Sequence, residues 1–193
     1  MFLLTFGLLA ALGAAPAAAL PDVPTLHTVR EVTLSPSYSC RPDSQSGYAN
    51  TALFLTEHSR KRNSPDLLFN GACGSRDDFE ASTAGDDMSL VADLGPDLRI
   101  DDLTASMAFN VINVNRDSAY STFKRLVPVI EGHTYAVLLN NNERRGLFLV
   151  QVLDHKPNRE VYFRYAVKSY VWQHEQVRAQ GFDWGKRSAA AQP

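Results

Sequence analysis

The chain has 193 residues, 45% hydrophobic and 21% charged, with a formal net charge of −2. That composition belongs to a globular protein long enough to bury a core of its own. So even a charge balance excludes nucleic acid as the main partner, because phosphate binding needs a basic face.

The opening stretch "MFLLTFGLLAALGAAPAAAL" carries no charge, is apolar from Phe2 to Leu12, and places Ala17 and Ala19 in an A-x-A cleavage pattern. It reads as a secretory signal peptide over residues 1–19, although no basic residue precedes the apolar run. The run breaks at Gly13 and Pro16, short of the ~20 apolar residues that cross a bilayer. No later stretch reaches that length, so no membrane span is expected. The expectation is a secreted chain, extracellular or periplasmic, whose folded domain covers residues 20–173.

Strand patterns dominate from there. "HTVREVTL" (27–34) alternates apolar and polar residues until Pro36 stops it. Cys40 and Cys73 are the two cysteines. In an oxidising compartment an even pair without C-x-x-C spacing reads as one disulfide, worth about 3–4 kcal/mol for a loop of this size. Between them, "YANTALFLTE" (48–57) fits a strand or a short helix, and "DLLFNGACG" is a short apolar run closed by glycines. "DMSLVADLG" (87–95) alternates and ends at Gly95-Pro96, a strong turn signal. "LTASMAFNVINV" is β-branched and aromatic, which predicts a strand, and Pro128 marks "STFKRLVPVIEG" as an edge strand, a bulge or a strand end. Three β-type runs follow, "HTYAVLL", "GLFLVQVL" and "EVYFRYAVKSYVW", joined by the turn-rich "NNNERRG" and "DHKPNR". They predict an antiparallel three-stranded meander whose first two strands are covered on both faces. With no long amphipathic helix, the fold class is mainly β, an antiparallel β-sandwich or barrel-like single domain. Residues 174–193 lose the pattern and predict a flexible tail.

Between Asp77 and Asp102 nine acids face one base, Arg99. The plain reading is a solvated acidic edge. The functional alternative is a Ca²⁺ site built from Asp86, Asp87, Asp101 and Asp102, since hard oxygen ligands on loops are what that ion takes. Neither an EF-hand loop nor a nonapeptide repeat supports it.

Catalytic motifs are missing: no G-x-S-x-G, H-E-x-x-H, phosphate loop or dinucleotide fingerprint occurs. Asp154 and His155 are neighbours, which in a turn could form an acid-histidine relay, but adjacent residues of a continuing strand point to opposite faces. His155 therefore reads as a turn residue before Pro157, and His133 as a structural hydrogen-bonding group. In the last strand Val161, Phe163, Tyr165 and Val167 fall on one face. Tyr162, Arg164, Lys168, Tyr170 and Trp172 fall on the other, an aromatic and cationic stripe suited to stacking a sugar or peptide unless the tail covers it. Arg144 and Arg145 read as a cationic point at a hairpin tip.

These features point to a secreted binding module without catalysis, its partner an extracellular carbohydrate, a protein surface or a Ca²⁺-dependent ligand. Two alternatives stand beside it. One is a small secreted hydrolase assembled from Asp86, Asp87 and either His133 or His155. The other is a structural accessory domain of an extracellular or envelope assembly.

Overall fold

The computed structural model describes residues 20, 23–35, 50–70, 76–81, 89–108, 123–140 and 144–172, the last of them by its backbone alone. The expected signal peptide and tail, Cys40, Cys73, Asp86 and Asp87 lie outside these residues. The described chain is mainly β, in two antiparallel sheets.

One sheet has five strands in the order β1 (Val29–Leu34), β9 (Glu160–Trp172), β8 (Arg144–Lys156), β7 (Thr134–Asn140) and β5 (Leu90–Gly95). The other has four, β2 (Ala52–Leu53), β3 (Leu67–Asn70), β4 (Asp78–Ala81) and β6 (Leu126–Pro128). The expected meander is present as β7, β8 and β9, and Pro128 ends an edge strand, where its missing N–H breaks no ladder. No closed barrel forms among the described residues, because β1 and β5 are the outer strands of the larger sheet.

The core between the sheets is aromatic at its centre. Phe79 of β4 meets Phe69 of β3, Tyr135 of β7 and Phe163 of β9 edge to face, at centroid distances of 6.3, 5.2 and 5.7 Å. Each of these rings is fully buried, and burying one removes enough apolar surface to contribute about 1.5–3 kcal/mol. The opposite face of the larger sheet is covered as well. Ala92, Ala136 and Ala166 present only methyl groups there, which leaves room for Ile100 and Leu103 of the connection after β5 to pack down on them. That second cover explains why the runs of β7 and β8 are apolar on both faces.

The connection holds a helical turn at 105–108, where a strand is expected from the sequence. Thr104 decides the matter locally. Its hydroxyl accepts from the Met107 amide at 3.2 Å and its carbonyl from the Ala108 amide at 3.0 Å, which is helix initiation by an N-cap. The rest of that run lies outside the described residues. The described part of the ambiguous run 48–57 holds β2, and α1 (Glu57–Lys61) starts at its last residue. Thr56 and Ser59 form a reciprocal capping box that starts this helix.

Among the described residues three β-bulges reset the facing of the strands. Leu94 in β5, Leu153 in β8 and Lys168 in β9 are each an extra residue opposite a continuous partner strand. Each extra residue shifts the two-residue alternation by one, so side chains beyond it change face. Beyond Lys168, Tyr170 turns into the core between the sheets. Beyond Leu153, His155 turns inward and its ring meets Phe69 at 6.1 Å. Close to the Lys168 bulge, β8 and β9 approach so closely that a Cβ on Gly146 would sit 2.5 Å from the carbonyl oxygen of Ser169. Glycine is the residue that fits there.

Candidate functional site

Polar side chains collect at the two ends of the sandwich. At one end stand two His–Asp pairs. His133 places Nδ1 3.0 Å from both carboxylate oxygens of Asp93, and Asp93 also accepts from the Gly95 amide at 2.8 Å across the bulge. Tyr135 lies beside this pair. Its hydroxyl donates to the Pro128 carbonyl at 2.9 Å and accepts from the Ile130 amide at 2.8 Å. Burial, with the Asp93 charge adding to it, pushes the Tyr135 phenol far above its ordinary range. The second pair joins His155 Nε2 to Asp77 Oδ2 at 2.8 Å, and the Asn158 amide donates to the same oxygen at 2.8 Å. The Asp77 side chain has no solvent exposure.

Asp77 leads into the smaller sheet and His155 closes β8 of the larger one, so this bond ties the two sheets together. Placing His155 in a turn is thereby corrected: β8 continues through Lys156, and the turn is 157–159. The adjacent Asp154 faces away from it, and the acid that serves His155 is the residue just before β4. His133 makes its hydrogen bond with Asp93. Of the acids proposed for the hydrolase, Asp86 and Asp87 lie outside the described residues. Both imidazoles hold a ring nitrogen against a buried carboxylate, an arrangement that fixes turns and sheets in place.

The acidic segment divides among its described members: Asp97, Asp101 and Asp102 are exposed, as a solvated edge would be, while the others are engaged. Asp77 and Asp93 are buried against histidines, and Glu80 accepts from Arg125 at 3.2 Å and from Asn70. Asp101 pairs with Arg164 at 3.0 Å, while Asp102 is exposed in the same turn. One proposed Ca²⁺ ligand and one proposed binding residue thus neutralise each other. Arg164 also donates twice to Gln151, and Tyr162 donates to Glu31. The expected stripe on β9 is therefore broken. Its near half is engaged by neighbours, the Lys168 bulge sends Tyr170 inward, and the side chain of Trp172 lies outside the described set. Lys168 itself donates to the Ile100 carbonyl at 2.8 Å, and burial draws its ammonium below the ordinary value against the opposing charge of Asp101.

At the other end, the β7–β8 hairpin begins its return strand at Arg144, three residues earlier than a loop tip at "RRG" implies. Arg144 is consequently not an exposed cation. It points between the sheets, 2% exposed, with its guanidinium 3.2 Å from Asp66, itself 1% exposed. Arg144 Nη2 also donates to the carbonyl and hydroxyl oxygens of Ser64, at 3.2 and 3.1 Å. Asp66 accepts in addition from the Leu55 amide at 2.8 Å and the Ser59 hydroxyl at 3.1 Å. The ion pair therefore fastens α1 and β3 to the hairpin.

Tyr170 borders the same network. Burial first, then the Asp66 charge, pushes its phenol up to about 12, while Arg144 and a hydrogen bond from Thr56 oppose the rise. A phenol that holds its proton more tightly folded than unfolded contributes stability that is complete below pH ~10 and disappears as pH rises toward about 12. Thermal melts between pH 8 and 11.5 are expected to show falling stability over that window, with a shallower fall for Tyr170→Phe. Parallel curves for the two proteins would remove Tyr170 as the cause.

Arg145 alternates to the opposite face and is exposed. It borders a shallow depression of about 350 Å³ on the outer side of the larger sheet, lined also by Leu138, Leu139, Asn140, Gly146, Ser169 and Val171. No ion pair engages Arg145 among the described residues. The depression lies at the hairpin end, past the apolar cover formed by Ile100 and Leu103. The Lys168 bulge creates it, by turning Ser169 and Val171 outward and bringing two backbones together over Gly146.

Nothing in the sequence pattern marks this site except the arginine pair, of which Arg145 alone belongs to it. Leu138 and Val171 read there as ordinary strand residues. Comparison with protein-family models, with curated proteins and with solved structures found no match.

Proposed function

We propose that this chain is an exported binding module that holds an apolar segment of a partner protein, carrying a carboxylate, in the depression beside Arg145. The observation that carries the reading is the depression itself: an aliphatic surface on the outer face of the larger sheet, with a cation at its rim that engages no acid among the described residues. Leu138 and Val171 supply the apolar contact, and Arg145 supplies the charge-assisted hydrogen bond that fixes orientation. Asn140 and Ser169 offer polar groups to the backbone of an extended peptide. Aliphatic rather than aromatic lining among the described residues favours a peptide over a sugar, since sugars are held by stacked rings. Export follows from the N-terminal apolar stretch and its A-x-A pattern.

Selection of a random heptapeptide library on the full chain tests this. The expected consensus has Asp or Glu flanked by large apolar residues. Arg145→Glu should weaken the selected peptides by about tenfold or more, the equivalent of one lost charge-assisted bond. Val171→Asp should weaken them as well, with both variants melting as the parent does. Peptides that bind the parent and both variants equally would defeat the assignment.

A further inference from the structure

Strand β9 leaves the larger sheet beside this depression, since Val171 lines it and Trp172 is the strand's last residue. Residues 173–193 follow in the sequence, with Glu175 and Asp183 as their only acids. One of the two, Asp183, sits between large apolar side chains, in Gly181-Phe182-Asp183-Trp184-Gly185. That composition is the complement of the site: two large apolar groups for Leu138 and Val171, and one carboxylate for Arg145.

We infer that the depression is occupied in cis by the chain's own Phe182-Asp183-Trp184 segment, which an incoming partner segment must displace. The inference rests on the depression being a ligand site, as proposed above. The connection is long enough. About ten residues separate Trp172 from Phe182, and a chain of that length reaches up to roughly 33–36 Å when extended, several times the ~4.8 Å spacing of neighbouring strands. Laid extended, Phe182 and Trp184 project to the same side, down onto the aliphatic floor. Asp183 stays at the solvent edge, where the long exposed side chain of Arg145 reaches it. Gly181 and Gly185 bracket the segment and let the chain turn into and out of the site. Tethering keeps the segment at millimolar effective concentration, so even a weak intrinsic contact fills the site.

The test uses a labelled peptide of residues 180–186 and fluorescence anisotropy on the full-length chain. Parent protein should bind it weakly. The Phe182→Ser/Trp184→Ser variant should bind it about tenfold more tightly or better, because the tethered competitor is gone. Adding Arg145→Glu to that variant should abolish the gain, and a peptide carrying Asp183→Lys should restore binding to the Arg145→Glu protein. Equal affinity for parent and double variant, or no binding to the double variant, overturns the inference. Library-selected peptides separate the two ideas. If they bind parent and double variant alike while the 180–186 peptide binds neither, the tail inference falls and the binding site stands. If none of the peptides binds, both fall.

Discussion

Phe79→Ala is expected to lower stability by about 3–5 kcal/mol. The ring is fully buried and makes edge-to-face contacts with Phe69 in its own sheet and with Tyr135 and Phe163 across the core. Removing it deletes the transfer free energy of the ring and leaves a cavity between two sheets that cannot both close in on it, because β7, β8 and β9 are held to each other by long ladders. A loss of this size consumes much of the 5–15 kcal/mol that holds an ordinary domain together. Phe79→Leu keeps a branched apolar group and should cost about 1–2 kcal/mol, leaving a folded protein for comparison. Urea unfolding measures both, with the midpoint falling and the slope unchanged. An alanine variant within ~1 kcal/mol of the parent would mean that the ring does not fill the space between the sheets.

Phe79 also shows where the sequence was silent. The four residues "DFEA" of β4 alternate as a strand should, with Phe79 and Ala81 inward and Asp78 and Glu80 outward. They sit in a run of acids that reads as solvated edge, and the partners of Glu80, Arg125 and Asn70, are set by pairing with β6 and β3. By contrast the C-terminal meander was plain, because long apolar runs separated by Asn, Gly and Pro clusters specify strands and tight turns locally.

What could not be read were the bulges. Leu153 and Lys168 carry none of the glycine or proline signals that mark a break, yet each inverts the facing of everything beyond it. A stripe drawn from unbroken alternation therefore included Tyr170, which is in the core, and an inward His155 looked like a turn residue. The pairs Arg144–Asp66, His155–Asp77 and His133–Asp93 share a second reason. Each joins residues far apart in the chain, and a charged or titratable residue next to a turn looks exposed until its distant partner is known.

Arg144 carries the other large effect. Arg144→Met should destabilise the protein by about 3–5 kcal/mol, since it leaves Asp66 as a buried charge without its guanidinium partner. Methionine keeps the length and apolar stem of the side chain, so the loss reports the charge more than the packing. Pairing it with Asp66→Leu removes the stranded charge, and the double variant should recover part of the loss. The double-mutant cycle should then give a coupling energy well above the 0.2–1 kcal/mol of an exposed pair. Coupling within the exposed range would show that the pair is not shielded from water.

The same variant also separates the two faces of the hairpin. Arg144 and Arg145 are consecutive in β8, one fastening the hairpin to α1 and β3 from inside, the other exposed at the rim of the depression. Loosening the inner contact should disturb the alignment of Leu138, Gly146 and Val171, so Arg144→Met should lose peptide binding together with stability. Arg145→Glu touches only the outer face and should lose binding while its melting temperature stays within a degree or two of the parent, as exposed substitutions do. If instead Arg144→Met binds peptide normally at a temperature where it is folded, the depression does not depend on the inner anchor, and its shape is set by the Lys168 bulge and Gly146 alone.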